Sequence, residues 1–184
     1  MKIKSFFPIA VLQHKVSSDI SDYVEKITLK NFNKLEQQDT LKTDFWNKEK
    51  TLDLNKISPL MEEINKCLKY YCSQTQIPIP KIFNHWVQDY SEKEYHPKHN
   101  HGRCELSLVY WIRSNKDAGY FKIDNPSPYN KIFYHTPPPS IYTTNSISIP
   151  PVKGGLIIFP SFLDHEVLPG GKNCVRTTLA INYQ

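Results

Sequence analysis

Tyr95-His96-Pro97-Lys98-His99-Asn100-His101 runs, four residues later, into Leu106-Ser107-Leu108-Val109-Tyr110-Trp111-Ile112. The second stretch is apolar, β-branched and aromatic, the composition of a strand that packs on a core. In the first, one residue separates His99 from His101. Alternate residues of an extended segment point the same way, so both imidazoles can face one point. A third histidine, His165, follows the strand-like Gly155-Leu156-Ile157-Ile158-Phe159-Pro160-Ser161. Two ligands close in sequence and a third from a later strand is the distribution that a metal site on a jelly roll requires. Imidazole suits iron, zinc, copper and nickel alike, so the cluster alone does not name the metal.

The pattern extends outward from this stretch. Further strands are expected at Ile82 to Asp89, Glu105 to Arg113, Gly119 to Ile123, Ser146 to Ile149, Gly155 to Phe159, His165 to Leu168 and Arg176 to Tyr183. They are short and bounded by Pro, Gly or Asn, as in a sandwich, barrel or jelly roll. Before residue 80 the period is helical. Ile20, Tyr23, Val24 and Ile27 form one helical face. Ser58 is a candidate N-cap, Pro59 fits the first helical position, and Leu60, Met61, Ile64, Cys67, Leu68 and Tyr71 make a stripe to lay across a sheet. The expected fold class is α+β, mainly β: a jelly roll with N-terminal buttressing helices. A chain of 184 residues suits one domain, with residues 1–80 as strand and helical support and 81–184 as the β core. The opening Met1 to Leu12, broken by Pro8, reads as an edge strand rather than a signal peptide. Residues 125–151, with Pro137-Pro138-Pro139, read as a lid or binding loop in which Tyr129, Tyr134, His135 and Tyr142 are the places to seek substrate contacts.

Composition narrows the function classes. The net charge is +5, from 23 basic and 18 acidic residues, but the lysines are scattered and form no nucleic-acid-binding stripe. No run approaches the ~18 apolar residues of a membrane span. The four cysteines are dispersed without a CxxC and read as reduced thiols of a cytoplasmic protein. Nothing in the sequence reports oligomeric state.

Arg176 opens the last strand, Arg176-Thr177-Thr178-Leu179-Ala180-Ile181-Asn182-Tyr183. If it points inward its guanidinium needs an anion, and its planar fork suits a carboxylate. A solvent-exposed arginine at a strand end is the other reading. On the strand after the histidines, Ser107, Val109 and Trp111 alternate with Leu106, Leu108 and Tyr110, and one of these sets should line the pocket.

The segments together resemble the small 2-oxoglutarate/iron(II) oxygenases of phage and marine bacteria. His99-Asn100-His101 with Leu106 to Ile112 is similar to that family's "HxH…LSGVYYL", and Gly119 to Pro126 to its "GxLxFxDP". Gly155 to Val167 resembles "GxLxLFPSWLxHxV", and Arg176 with Ala180-Ile181-Asn182 resembles the closing "R…AFN". The resemblance implies a double-stranded β-helix binding iron(II) through His99, His101 and His165. It further implies that Arg176 holds 2-oxoglutarate as co-substrate, with Trp111 and Ser107 beside it. The implied reaction consumes O2 and 2-oxoglutarate, releases succinate and carbon dioxide, and hydroxylates a substrate that the sequence does not name. Departures are Leu108 for a glycine, Trp111 for a tyrosine, and His101 where the more familiar oxygenase triad has a carboxylate.

A second reading competes. His99-x-His101-x3-Glu105 also fits the first metal motif of cupins, which makes Glu105 the alternative ligand, and Gly154-x5-Pro160 followed by His165 resembles the second. A non-catalytic jelly-roll binding module is the third reading. The Tyr95-to-Ile112 and Arg176-to-Asn182 segments favour the oxygenase.

Overall fold

The computed structural model describes residues 8–127 and 143–184. Phe6, Phe7 and the expected lid residues Tyr129, Tyr134, His135 and Tyr142 lie outside the described residues. The chain is mainly β, with few helices. Strands β1 (Leu12–Lys15), β2 (Glu36–Gln37), β3 (Lys42–Thr43), β4 (Ile82–Tyr90), β6 (Leu106–Ser114), β9 (Gly155–Pro160) and β11 (Arg176–Tyr183) form a seven-stranded sheet in the order β1-β9-β6-β11-β4-β3-β2. A four-stranded sheet has the order β5-β10-β7-β8, from β5 (His96–His99), β7 (Phe121–Asp124), β8 (Ser146–Ile149) and β10 (His165–Val167). Every pairing between these strands is antiparallel.

β11 runs through the middle of the large sheet, and all eight of its residues are buried. Its side chains alternate between two cores, as the pleat requires. Leu179, Ile181 and Tyr183 join Leu106, Leu108, Tyr110 and Ile112 of β6 in one cluster. The same cluster takes Val24 from helix α1 (Ser18–Lys30) and Leu60, Ile64, Cys67, Leu68 and Tyr71 from helix α2 (Ser58–Thr75). The opposite faces meet the small sheet. There Trp111, Ile157 and Phe159 pack with Phe121, Ile123, Ile149 and Val167.

The helices differ locally from expectation. Ser17 caps α1 with its side chain, accepting from the Ile20 N–H. Ser58 is not an N-cap: a 3-10 turn over Leu54–Ile57 feeds straight into α2, and the cap position is Ile57, which has no side-chain cap. Pro59 does sit in the first turn, where its missing N–H costs nothing. Gln76 ends α2 in the left-handed region at φ 57°. The N-terminal edge strand begins at Leu12, later than its apolar prelude implied, and pairs with β9.

Leu179 is fully buried against Val87 and Tyr110 on the neighbouring strands. Leu179→Ala should lower unfolding free energy by about 2–5 kcal/mol, the range for a truncated core leucine. Urea denaturation followed by far-ultraviolet dichroism reads this, and a loss below about 1 kcal/mol would mean that the cluster closes around the gap.

Candidate metal centre

The register of the small sheet assembles the histidines. On β7 and β10, Phe121, Ile123 and Val167 face the core, while Lys122 and Glu166 face outward and pair at 2.7 Å. By the same alternation His165 faces inward. His165 pairs directly with His99 across β10 and β5. Val167 pairs with His96, so two residues of β5, Pro97 and Lys98, are matched by one of β10, Glu166. This bulge turns His96 to the same side as His99, and the two rings stack with centroids 4.1 Å apart. His101 lies just beyond the strand, held by its N–H donating to the Ser161 carbonyl at 2.8 Å.

His99, His101 and His165 each offer one ring nitrogen, and these atoms all lie within 4.8 Å of one another. Ring centroids are 4.3 Å (His99–His165), 5.0 Å (His99–His101) and 5.2 Å (His101–His165) apart. The remaining nitrogens are tied down. His99 Nδ1–H donates to the Pro97 carbonyl at 2.7 Å and His165 Nδ1–H to the Leu163 carbonyl at 2.8 Å. Both bonds place the proton on Nδ1 and leave Nε2 with a free lone pair. His101 Nδ1 is 2.8 Å from the Asn182 amide. Asn182 Nδ2 faces His101 Nδ1, and Asn182 Oδ1 accepts from Ser107 Oγ, which is 2.8 Å from Ser161 Oγ. Half a turn of the amide exchanges its oxygen and nitrogen, so that Oδ1 accepts the His101 Nδ1 proton and Nδ2 donates to Ser107 Oγ. Every partner is then satisfied and His101 Nε2 is free too.

Burial holds these rings neutral. It pushes the pKa of His165 and His96 down to about 3 and that of His101 to about 4, with the neighbouring imidazoles adding to the shift. His99 is lowered for the same first reason, opposed by its bond to Pro97. Neutral imidazoles are the form that binds a metal. His96 is distinct: its Nδ1 faces Gln88 Nε2 at 3.1 Å, Gln88 Oε1 accepts from Tyr90 Oη at 3.0 Å, and the Tyr90 ring lies 5.1 Å from the Arg176 guanidinium. The sequence showed His96 in the cluster without giving it a role.

Arg176 is 1% exposed. Burial lowers its pKa to about 10, which leaves it charged at neutral pH. Nη1 donates to the Gly119 carbonyl at 2.6 Å, Nε has no partner, and no carboxylate is among the groups acting on it. The inward reading holds, and the solvent-exposed alternative fails. Arg176, Thr178, Ala180 and Asn182 line a cavity between the sheets with His99, His101, His165 and Ser107. A cleft of about 580 Å³ shares His96, His99, His101, Trp86 and Gln88 with it and runs out to Leu41, Phe45 and Trp46.

Two expected site residues fall elsewhere. Trp111 is on the cavity-facing side of β6 but too far along it. It packs edge-on to Phe121, with ring centroids 6.5 Å apart, and against Gly155, so it belongs to the core between the sheets. Glu105 is exposed, its charge acts on Cys72 of α2 on the far side of the large sheet, and it is absent from the clustered donors. It cannot be the alternative ligand, and the cupin motif loses its carboxylate. Of the other nearby acids, Asp164 accepts from Asn100 at 2.7 Å and Glu166 faces outward to Lys122.

Two predictions follow from this geometry. Asn182→Leu removes the group that orients His101 and should weaken cobalt(II) binding about 10–100-fold, read by metal titration, while an unchanged affinity would relieve Asn182 of that role. The second concerns pH in the metal-free protein. The folded pKa values of His96, His101 and His165 lie below the ordinary 6.5, so the unfolded chain binds more protons between about pH 4 and 6. Stability is then fully present above about pH 6.5 and falls as pH falls, by roughly 1.4 kcal/mol per pH unit for each such histidine. Urea midpoints at stepped pH should show this slope, shallower in His165→Gln.

A family model described as "Putative 2OG-Fe(II) oxygenase" matches residues 84–182, just over half the chain. No curated protein matches the sequence. Among solved structures, a prolyl-4-hydroxylase from Pseudomonas putida superposes with TM-score 0.61 at 13% identity, covering 96% of this chain and 92% of that one. The α-ketoglutarate-dependent carbocyclase SnoK of nogalamycin biosynthesis gives TM-score 0.67 at 9% identity, over 95% of this chain and 79% of that one. A 2OG-Fe(II) oxygenase-family oxidoreductase from Burkholderia pseudomallei gives 0.53 at 14% identity, over 73% of this chain but only 57% of its own length. At these identities the likeness shows a shared jelly-roll fold, and the family match carries the class: the chain belongs to the 2OG-Fe(II) oxygenase family of iron(II)- and 2-oxoglutarate-dependent oxidoreductases.

Proposed function

We propose that His99, His101 and His165 hold the iron(II), that Arg176 receives the distal carboxylate of 2-oxoglutarate, and that the protein hydroxylates a substrate entering by the Trp46–Trp86 cleft. The observation that carries this is Arg176: a charged guanidinium, buried between the sheets, whose Nε has no partner and which meets no carboxylate among the described residues. An unpaired buried cation is costly, and a dicarboxylate co-substrate supplies the missing charge. The three imidazoles fit the metal: the hydrogen bonds to Pro97 and Leu163 leave a lone pair on Nε2 of His99 and His165, and the half-turned Asn182 amide leaves one on His101.

When bound, iron(II) with 2-oxoglutarate and O2 supplies the oxidising power, and succinate and carbon dioxide leave. The chain supplies placement. The carbonyls of Pro97 and Leu163 and the amide of Asn182 fix the ring orientations. Phe121 and Phe159, with ring centroids 5.4 and 5.0 Å from that of His165, close the site on the core side and keep water from it. Ser107 serves through Asn182 rather than by touching the co-substrate itself. Helices α1 and α2 pack on the far face of the large sheet and back β11, which carries Arg176 and Asn182. The four free thiols fit a reducing, cytoplasmic compartment.

Arg176→Ala should weaken 2-oxoglutarate binding by about 1.5–3 kcal/mol while cobalt(II) still binds. His165→Ala should abolish metal binding while far-ultraviolet dichroism is retained. Calorimetric titration separates the two. Undiminished 2-oxoglutarate affinity in Arg176→Ala would remove the arginine from the anion site.

A further inference from the structure

The large sheet has an edge that stops short beside the cleft. β3 covers β4 only at Gln88 and Asp89, and Asp44 extends that cover to Val87. Val87 turns its backbone away from β11: its carbonyl accepts from the Asp44 N–H at 3.3 Å and its N–H donates to Asp44 Oδ1 at 2.8 Å. Backbone groups along a strand alternate sides, so His85 presents its N–H and C=O in the same direction. Among the described residues no strand pairs with Ile82–Trp86 on that side, and no loop hydrogen bond reaches the backbone of His85 or Phe83.

Two other edges, those of β5 and β1, are guarded in ways that deter pairing. β5 carries Pro97 and Lys98, and β1 ends on Lys15. The open part of β4 has neither lysine nor proline, and it exposes Ile82 (41%) and Phe83 (59%). Grooves flank it on both faces. Asn84 and Trp86 face the 580 Å³ cleft that contains His99 and His101. Ile82 and His85 face a second groove of about 780 Å³, bounded across by Leu52, Leu54 and Met61.

We infer that this edge docks an extended peptide as an added strand, in line with β3, and that the peptide is the substrate. An unpaired N–H and C=O at His85 are complementary to another backbone. Side chains of an added strand alternate between the two grooves. The peptide residue that pairs with Asn84 therefore points into the cleft, on the side where the Trp86 ring stacks 5.8 Å from that of His101. Its neighbours on either side point into the Leu52 groove. Docking depends only on the edge. Naming the docked peptide as substrate rests on the metal-site reading proposed above.

The test uses the full chain loaded with cobalt(II). A displayed library of random decapeptides is selected on it, and the best binder is synthesised with single backbone N-methyl groups at each position in turn. Strand addition predicts that methylation weakens binding at least tenfold at alternate positions and leaves the positions between them unaffected. The His85 amide should gain protection from hydrogen exchange, and Phe83→Lys should weaken binding at least tenfold. Protons of the one peptide side chain facing Asn84 should be relaxed most strongly by the cobalt. No binder, or a scan without alternation, overturns the docking. So does protection of His85 by dimerisation of the protein alone, which would give the edge to a second copy. An alternating scan without selective relaxation keeps the docked strand but overturns its assignment as substrate. Failure of metal or 2-oxoglutarate titration would instead strike the proposed function, and the methylation scan would stand.

Discussion

The pairing of His99 with His165 across β5 and β10 is the constraint on which the site depends. Side-chain direction in a sheet has a period of two, so a slip of one residue in either strand would send one of these rings to the outer face. The register is held on the other side of β10 by β7, where Phe121, Ile123 and Val167 must stay in the core and Lys122 and Glu166 must stay outside. The chemistry is thus secured by hydrophobic burial next door. A slip of β10 that turned His165 out would also turn Val167 out of the core, and such an exposure costs about 1.5–3 kcal/mol.

Electrostatically the site is positive. Three neutral imidazoles would leave a bound iron(II) with its full charge, and the buried Arg176 adds another positive charge beside the cluster. A 2-His-1-carboxylate site would offset part of this internally. Among the described residues no acidic side chain joins the cluster: Asp164 accepts from Asn100, and Glu105 lies behind the sheet. On the assignment proposed above, a dianionic co-substrate would offset both of these charges.

Much of this was legible in the sequence, for identifiable reasons. Strands Ser146–Ile149 and Arg176–Tyr183 coincide with expectation because β-branched runs ended at unambiguous breakers. The His-x-His spacing gave the shared direction of His99 and His101 because it depends only on backbone period. The role of Asn182 was not legible, since its partners Ser107 and His101 lie on β6 and beyond β5 and meet it only after the sheets face each other. Trp111 misled because alternation gives the side of a strand and not the distance along it. His96 owes its inward direction to a bulge, which inserts a residue that no periodic reading anticipates.

Gly119 has a bearing beyond its own turn. A β-carbon placed there would come within 1.7 Å of the Leu168 carbonyl oxygen, and the Gly119 carbonyl is the one that receives Arg176. The hydrogen atom at this position therefore lets the chain after β6 lie directly on the chain after β10, and that contact brings a backbone dipole to the buried guanidinium. Any side chain would lift the carbonyl away and leave the cation without its sole protein acceptor among the described residues. A steric restriction at a residue without functional groups of its own thus sets the electrostatic surroundings of the buried arginine.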